Sequence, residues 1–305
     1  MSKRNNKLKN SEEICLKEGE DWKTKQDQCE KKDKHHLFKN PKQIQIDEIL
    51  TNGFTATPKI IKFVLLLTTL TGRINIGGIR FGTGFLEKIR RKTGVPCPCL
   101  KCKTRTAKTE WAVFRVTTVY HVVTSQLDVE ITKFELFYDE DFFSEADFAK
   151  NVKVAYGDRL SETERDKETD WCFIECVTHK MKLVDMLEET ISELAKLQES
   201  FYKEYKDKQV KPVIIVSHPH SGPKQVSFGQ VTDVKPLKEV RENQSWCQYF
   251  YDTATCPGSS GAYVCILGQA LCGTGYWFGH PHNHSGHSEE QFINCSSVGV
   301  ESLVA

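Results

Sequence analysis

The sequence lacks an excess of charge of either sign. Lysine and arginine number 42, aspartate and glutamate number 41, and the formal net charge is +1. A chain without a net field of one sign has no general electrostatic attraction for polyanions or for an anionic membrane surface. We therefore expect neither nucleic acid nor a membrane among its partners.

Long hydrophobic runs are also missing. The most apolar stretch, residues 60–70, is interrupted by Lys62 and is too short to span a bilayer. The first ten residues, MSKRNNKLKN, are not followed by the apolar segment that a secretory signal requires. These absences predict a cytoplasmic protein. In such a reducing compartment the twelve cysteines would be mostly free thiols or metal ligands instead of disulfides.

Large apolar side chains are scarce at the start of the chain. The first 40 residues are crowded with Lys, Glu, Asp, Asn and Gln. Such a stretch buries too little surface to offset the entropy lost on ordering. We predict a polar, flexible extension over residues 1–55 and a folded domain over residues 56–300, entered through a short helix that has Pro58 in its first turn.

From position 73 onward the sequence pattern is typical of a β protein. Short β-prone runs, such as EWAVFRVTTVYHVVT at 110–124 and KPVIIVSH at 211–218, are separated by Gly, Pro, Asp or Ser. Many short strands with this punctuation predict an all-β sandwich or barrel.

Residues 180–208 break the β pattern. Apolar residues recur there at helical spacing, with Glu and Lys on the other face: Leu183, Met186, Leu187, Ile191, Leu194, Leu197 and Phe201. We predict an amphipathic helix that connects a group of strands at 73–179 to a second group at 209–300 and covers one of them. A coiled-coil helix for a partner is the alternative.

The segment CPGSSGA at 256–262 places Ser260 in a tight turn ahead of a strand. Such a turn can present the serine hydroxyl outward while nearby backbone N–H groups converge on one point. Small-residue turns are common, so a chemical interpretation also needs a histidine base and an orienting acid elsewhere in the chain.

Both partners are present upstream. His121 lies in the β-prone run TTVYHVV at 117–123, and Asp170 opens the apolar segment DWCFIE. Asp158 and Asp166 are alternative acids in the neighbouring polar loop. We prefer Asp170 because it alone leads directly into an apolar strand.

These segments resemble those of trypsin-like serine proteases of the chymotrypsin clan. The histidine and aspartate runs are similar to the Thr-Ala-Ala-His and Asp-Ile-Ala-Leu boxes of that clan, and the order His, Asp, Ser is that of chymotrypsin. The separations, 170 − 121 = 49 and 260 − 170 = 90, are also close to the usual ones. RFGTGF at 80–85 is similar to the Gly-Ser-Gly-Phe strand that opens intracellular and bacterial trypsin-like domains.

The resemblance covers residues 73–300 and implies an all-β fold of two six-stranded antiparallel barrels with the active site between them. It implies a serine endopeptidase that needs no cofactor and acts on a protein or peptide through an acyl-enzyme. The triad would be His121, Asp170 and Ser260, and the backbone N–H groups of Gly258 and Ser260 would form the oxyanion hole.

Two positions depart from the secreted trypsins. Ser259 stands where those enzymes carry the aspartate that pairs with a newly formed N-terminus, and Ala254 stands where trypsin has its pocket aspartate. An alanine offers no countercharge, so a small or apolar side chain is expected in the pocket instead of Lys or Arg. The pocket wall is expected from Gly273, Thr274 and Gly275.

Cys97, Cys99 and Cys102 offer three soft metal ligands within six residues. A structural zinc needs a fourth ligand, and no CxxC or HxxxH pair stands close by in sequence. We therefore expect free thiols in a loop and keep the three cysteines as weak zinc candidates. A zinc-dependent interaction protein would rest on this cluster alone.

Several histidines stand close together in sequence. His218 and His220 are predicted to lie in a barrel loop and not to act as a ligand pair. Short histidine tracts can bind metal, but a polar surface loop is the expected setting for the second group: His280, His282, His284 and His287.

A second function is compatible with the same fold. A catalytically silent trypsin-like domain could act as a protein-binding module and recruit a partner through the helix at 180–208 or through residues 1–55. A binding module needs no triad, so the presence of all three residues favours the enzyme.

Overall fold

Short strands dominate the computed structural model. It describes residues 12–18, 20–51, 53–99, 102, 104, 106–142, 144–241, 244–269, 282–287, 293–297 and 299–301. The helices are α1 (Trp22–Asp27), α2 (Pro58–Leu70), α3 (Gln126–Glu130), α4 (Glu145–Asn151) and α5 (Met181–Tyr205). The first nine strands are β1 (Ile14–Cys15), β2 (Ile49–Thr51), β3 (Phe54–Thr55), β4 (Thr71–Ile76), β5 (Arg80–Thr93), β6 (Glu110–Thr118), β7 (Thr132–Leu136), β8 (Lys153–Asp166) and β9 (Trp171–Thr178). The others are β10 (Pro212–Ser217), β11 (Gln225–Arg241), β12 (Gln244–Tyr251), β13 (Val264–Ile266), β14 (His284–His287), β15 (Asn294–Ser296) and β16 (Gly299–Glu301).

The first half of the fold is a closed barrel. Its strands follow the order β5-β4-β7-β8-β9-β6, and pairing of β5 with β6 closes the ring. All of these pairs are antiparallel, and Ile74, Phe114 and Phe134 are fully buried inside. Pairing of β5 with β6 runs from Phe85 onward and leaves the start of β5, at Arg80 and Phe81, as an edge that pairs with β1. The inward-facing residues of each strand fill the interior.

The second half is a curled sheet of the order β13-β10-β11-β12-β15-β14, with β16 also paired to β12. Val213, Ile215 and Val264 are fully buried in its own core. Within the described residues this sheet does not close. The architecture confirms the prediction of a chymotrypsin-like double barrel, with one complete barrel and one half-barrel.

Helix α5 follows the first barrel and has the predicted amphipathic pattern. Its buried side includes Leu187, Leu194 and Phe201, and the Phe201 ring lies 4.9 Å from that of Phe63 on α2. The apolar face of α5 is therefore used inside the chain. No helix in the described ranges is both long and apolar enough to cross a membrane.

The N-terminal segment differs from the flexible extension that its composition predicted. From residue 12 onward it lies against both halves of the fold: Ile14 pairs with Phe81 on β5, and Lys39 forms a β-bridge with Val226 on β11. Strand pairing satisfies backbone polar groups whatever the side chains are. Together with buried Ile14 and Phe54, this pairing orders a segment whose side chains are mostly polar.

Candidate active site

Ser260 lies in the turn between β12 and β13. Gly258 and Gly261 flank it with positive φ angles of 100° and 89°. A Cβ atom at Gly258 would stand 2.4 Å from the carbonyl oxygen of His218. Glycine is therefore required at this position by both the backbone conformation and the close approach of the neighbouring loop.

Thr83 of the first barrel holds this turn in place. Its N–H donates to the carbonyl oxygen of Ser260 at 2.7 Å, and its hydroxyl donates to that of Gly258 at 2.8 Å. Thr83 is fully buried. The serine of the second sheet is thus fixed to a strand of the first barrel.

The structure brings His121, Asp170 and Ser260 together. Pairing of β6 with β9 places Asp170, just ahead of β9, beside the loop that carries His121. Asp170 Oδ2 lies 2.8 Å from His121 Nδ1, and Ser260 Oγ lies 2.8 Å from His121 Nε2. Of the three candidate acids, it is Asp170 that contacts the histidine. Asp166 instead accepts hydrogen bonds from the backbone of its own turn.

Two further hydrogen bonds position the Asp170 carboxylate. The backbone N–H of His121 donates to Oδ1 at 3.1 Å, and the Ser285 hydroxyl of β14 donates to Oδ2. Asp170 itself is 8% exposed and has a left-handed backbone with φ 53°, a conformation that aspartate tolerates better than most residues. Ser285 was not predicted from the sequence, because only the folded sheet brings it to the acid.

The surroundings of His121 raise the pKa of its imidazole. Burial alone would lower its pKa, but the hydrogen bond and charge of Asp170 outweigh burial, and Glu13 and Glu12 add to them, so the pKa lies above its ordinary value. An imidazole held in this way can take a proton from Ser260 and keep it.

The backbone N–H of Gly258 donates to the carbonyl oxygen of Glu12 at 2.5 Å. This is one of the two N–H groups that the sequence assigned to an oxyanion hole, and here it binds a carbonyl group of the chain itself. The role of the Ser260 N–H stays a prediction.

Comparison with known proteins fits this geometry. A sequence model of the trypsin-like peptidase domain matches residues 107–272, which is more than half of the chain and includes His121, Asp170 and Ser260. The chain belongs to the trypsin-like peptidase family.

Solved structures similar to this trypsin-like peptidase include an inactive mutant form of Rv3671c from M. tuberculosis H37Rv. It has a TM-score of 0.40 and 12% identity, and the match covers 80% of this chain and 89% of that chain. The HtrA-type protease AlgW with a tripeptide has a TM-score of 0.41 and 11% identity, covering 77% of this chain and 58% of that one. Similarity this distant carries no argument about function. A search of curated proteins gave no match.

For the substrate pocket of this trypsin-like peptidase, the sequence predicted Ala254, Gly273, Thr274 and Gly275. Ala254 is buried, and its carbonyl oxygen accepts a hydrogen bond from Ser227; its place in a pocket stays a prediction. Gly273, Thr274 and Gly275 lie outside the described residues.

The histidines expected in a polar surface loop are instead interior. His282, His284 and His287 are 1%, 0% and 9% exposed, so the prediction of a surface loop is wrong for these three, and His280 lies outside the described residues. They belong to or adjoin β14, whose pairing with β15 draws them into the sheet.

The cysteine cluster gains a fourth donor in the fold. His179, just after β9, places its Nε2 atom 2.9 Å from the sulfur of Cys97, 3.7 Å from that of Cys99 and 3.4 Å from that of Cys102. The three cysteines are buried. No local motif marks this ligand, because 77 residues separate it from Cys102.

Asp170→Asn is expected to lower the pKa of His121, because the substitution removes the negative charge that stabilises the imidazolium. Asp166→Asn, nearby but without contact to the histidine, should leave that pKa unchanged. Titration of the imidazole signals by NMR checks both variants. A His121 pKa that does not respond to Asp170→Asn would contradict the geometry described here.

Proposed function

We propose that this trypsin-like peptidase is an active serine endopeptidase with His121, Asp170 and Ser260 as its triad. The hydrogen-bonded series from Asp170 through His121 to Ser260 is the observation that supports it most directly. A domain used only for binding has no need of a base placed 2.8 Å from a serine hydroxyl.

In the proposed reaction Ser260 Oγ attacks the carbonyl carbon of the scissile peptide bond while His121 Nε2 accepts the hydroxyl proton. Asp170 holds the imidazole in position and stabilises its charged form. His121 then gives the proton to the leaving amine, which leaves an ester between Ser260 and the acyl part of the substrate. A water molecule, deprotonated by His121, hydrolyses this ester and restores the serine.

The negative charge that develops on the carbonyl oxygen needs fixed donors. The N–H of Gly258, which holds the Glu12 carbonyl in the structure, supports a role in this stabilisation, and we assign the second donor to the N–H of Ser260. Loss of one such donor typically raises the barrier by about 3–4 kcal/mol. The substrate class is a protein or a peptide.

Ser260→Ala is expected to abolish labelling by a fluorophosphonate probe, because the probe forms its bond with the activated serine. His121→Ala removes the base and should lower the labelling rate by roughly 10⁴-fold or more. Mass spectrometry of the labelled wild type should place the probe on Ser260.

Ser192→Ala, an exposed position on α5, serves as the matched control and should label like the wild type. If neither the folded wild type nor Glu12→Lys, in which the glutamate buried beside Ser260 is replaced, takes up the probe, the proposal is contradicted and a catalytically silent binding module is favoured. Labelling that survives in Ser260→Ala would contradict the assignment of the nucleophile.

A further inference from the structure

The N-terminal segment runs through the candidate active site as a bound peptide would. The carbonyl oxygen of Glu12 accepts from the N–H of Gly258, and Glu13 Oε2 lies 3.6 Å from His121 Nε2. The next residues, strand β1, pair antiparallel with β5 through Ile14 and Phe81. Addition of an extended segment to a sheet edge is a common way to hold a peptide. The peptide bond between Glu12 and Glu13 therefore lies beside the triad.

The side chain of Glu12 fills a polar pocket. Its Oε2 atom lies 2.8 Å from His284 Nε2, its Oε1 atom lies 3.5 Å from His287 Nδ1, and it forms an ion pair with Lys31. Glu12 is 2% exposed. Burial alone would raise its pKa, but His284, His287 and Lys31 outweigh burial and hold the pKa well below its ordinary value.

The partner of Glu12 is itself held in place. His284 is fully buried, and its other ring nitrogen, Nδ1, lies 2.7 Å from the hydroxyl of Tyr251. A buried carboxylate is tolerated only where charges and hydrogen bonds compensate its lost hydration. The pocket supplies this compensation for a carboxylate. An alanine or leucine in the same place would leave His284 Nε2 without its hydrogen-bond partner.

We infer that the primary substrate pocket selects an acidic side chain and that the bond between Glu12 and Glu13 is the chain's own cleavage site. The inference rests on the proposed triad and names its substrate class. It replaces the expectation, drawn from Ala254, of a small or apolar side chain in the pocket.

The chemistry is that of the proposed reaction, applied within the chain. Ser260 Oγ forms an ester with the carbonyl carbon of Glu12 as the bond to the nitrogen of Glu13 breaks. The serine proton passes through His121 to that nitrogen, which becomes a new α-amino group. One water molecule then hydrolyses the ester and leaves a carboxylate on Glu12. Residues 1–12 are released as a peptide, and Glu13 becomes the new N-terminus.

The test compares the N-termini of four purified full-length chains by intact mass and terminal sequencing. The wild type and Glu18→Lys, which makes the same charge change at an exposed position of the same segment, should begin at Glu13. Ser260→Ala and Glu12→Lys should keep residues 1–12, because the first lacks the nucleophile and the second sets a cation against Lys31 and His284.

A peptide assay tests the pocket separately. Glu12→Lys, whose cleft is no longer filled by its own glutamate, should cleave a peptide with the sequence of residues 10–15 at least about tenfold faster than the same peptide with Lys or Ala in place of the first Glu. Fluorophosphonate labelling of Glu12→Lys reports whether the triad works.

The outcomes separate the two claims. If Glu12→Lys takes up the probe on Ser260 but the wild type keeps residues 1–12 and the peptides are cleaved equally, the inference fails and the proposed function stands. If no chain takes up the probe, both fail. Cleavage of Glu12→Lys at the same bond would also overturn the acidic preference.

Four cysteine and histidine side chains form a second candidate site. Cys29, His35, His220 and Cys256 converge next to the cleft, with their donor atoms all within 4.8 Å of one another. The sulfurs of Cys29 and Cys256 are 3.8 Å apart, and the Nε2 atoms of His35 and His220 are 3.2 Å apart.

These distances fit one tetrahedral ion. With Zn–S bonds of about 2.3 Å and Zn–N bonds of about 2.05 Å, the edges of a tetrahedron are about 3.8 Å between sulfurs and about 3.3 Å between nitrogens. Two sulfurs with two imidazole nitrogens are also the donor set of many structural zinc sites. We propose that these four side chains bind zinc.

The surroundings are those of a ligand site. The backbone N–H of Lys31 donates to the sulfur of Cys29 at 3.3 Å, a bond that suits a thiolate. His220 is fixed in a left-handed conformation with φ 59°, and its N–H donates to the carbonyl oxygen of Pro257. The prediction that His220 lies in a barrel loop without a ligand role is therefore revised by this proposal.

Zinc at this position would join three segments beside the cleft: the N-terminal segment, the loop after β10 that carries His220, and the turn that carries Ser260. Cys29 and His35 belong to the N-terminal segment, and Cys256 stands four residues before Ser260 in sequence. Lys31, which pairs with Glu12, lies between the two ligands of the segment. The ion therefore fixes both the nucleophile turn and one charged group of the acidic pocket.

The cluster of Cys97, Cys99, Cys102 and His179 has the donors of a second structural site, and its four donor atoms likewise lie within 4.8 Å of one another. It links the loop between β5 and β6 to the residue after β9. A structural zinc ion takes four ligands, and each cluster supplies four donor atoms. We therefore assign one zinc ion to each cluster.

The test is the metal content of the purified chain. The wild type and Cys15→Ser, a control at an exposed cysteine of the same segment, should hold two zinc ions. Cys29→Ser should hold one, and Cys102→Ser should hold one. Cobalt exchanged into the wild type gives a second readout that does not depend on the folding of a variant, through the thiolate-to-cobalt absorption of tetrahedral sites.

Two results would overturn the proposal. One is a folded wild type that holds no zinc and takes up no tetrahedral cobalt. The other is a disulfide between Cys29 and Cys256 in the chain purified with reductant, because oxidised sulfurs do not bind the ion. Loss of a single zinc in Cys102→Ser with none lost in Cys29→Ser would overturn the site beside the cleft alone.

Discussion

The candidate active site depends on the contact between Thr83 and the turn that carries Ser260. His121 and Asp170 belong to the first barrel and Ser260 belongs to the turn ahead of β13, so these three side chains stay together only while the two halves keep a fixed relation. Thr83 supplies that relation through hydrogen bonds to Ser260, Gly258 and the N–H of His218. All of these groups are buried, and a buried polar group that loses its partner costs about 1–3 kcal/mol. These hydrogen bonds therefore oppose separation of the two halves at the position where His121 meets Ser260.

The second constraint is the burial of Glu12 beside the candidate triad. Moving a carboxylate out of water is unfavourable by several kcal/mol unless opposite charges and donors replace the lost hydration. The fold gathers His284, His287 and Lys31 around this one side chain, and they come from opposite ends of the sequence. Ser260 is fully buried in the same arrangement. In this structure the cleft is thus filled by the N-terminal segment of the same chain.

The sequence predicted the fold, and its motifs singled out His121, Asp170 and Ser260 as candidates, because these signals are local. Strand runs, the helical spacing of Leu187 and Leu194, and the short motifs around His121, Asp170 and Ser260 are each contained in a few consecutive residues. The contacts of Glu12, Ser285 and His179 have no such signal. Glu12 and His284 are 272 positions apart, and nothing in the polar composition of residues 1–55 shows which glutamate enters a pocket. The same composition predicted flexibility because it counts only side chains. Backbone pairing with β5, which orders this polar segment, is not visible in a composition.

The most direct test of this account is a crystal structure of the full-length Ser260→Ala chain, which lacks the proposed nucleophile. The account predicts the Glu12 carbonyl oxygen on the N–H of Gly258 and the Glu12 carboxylate on His284, with Ile14 paired to Phe81. A cleft that holds a different part of the chain, or a Glu12 side chain in solvent, would contradict it.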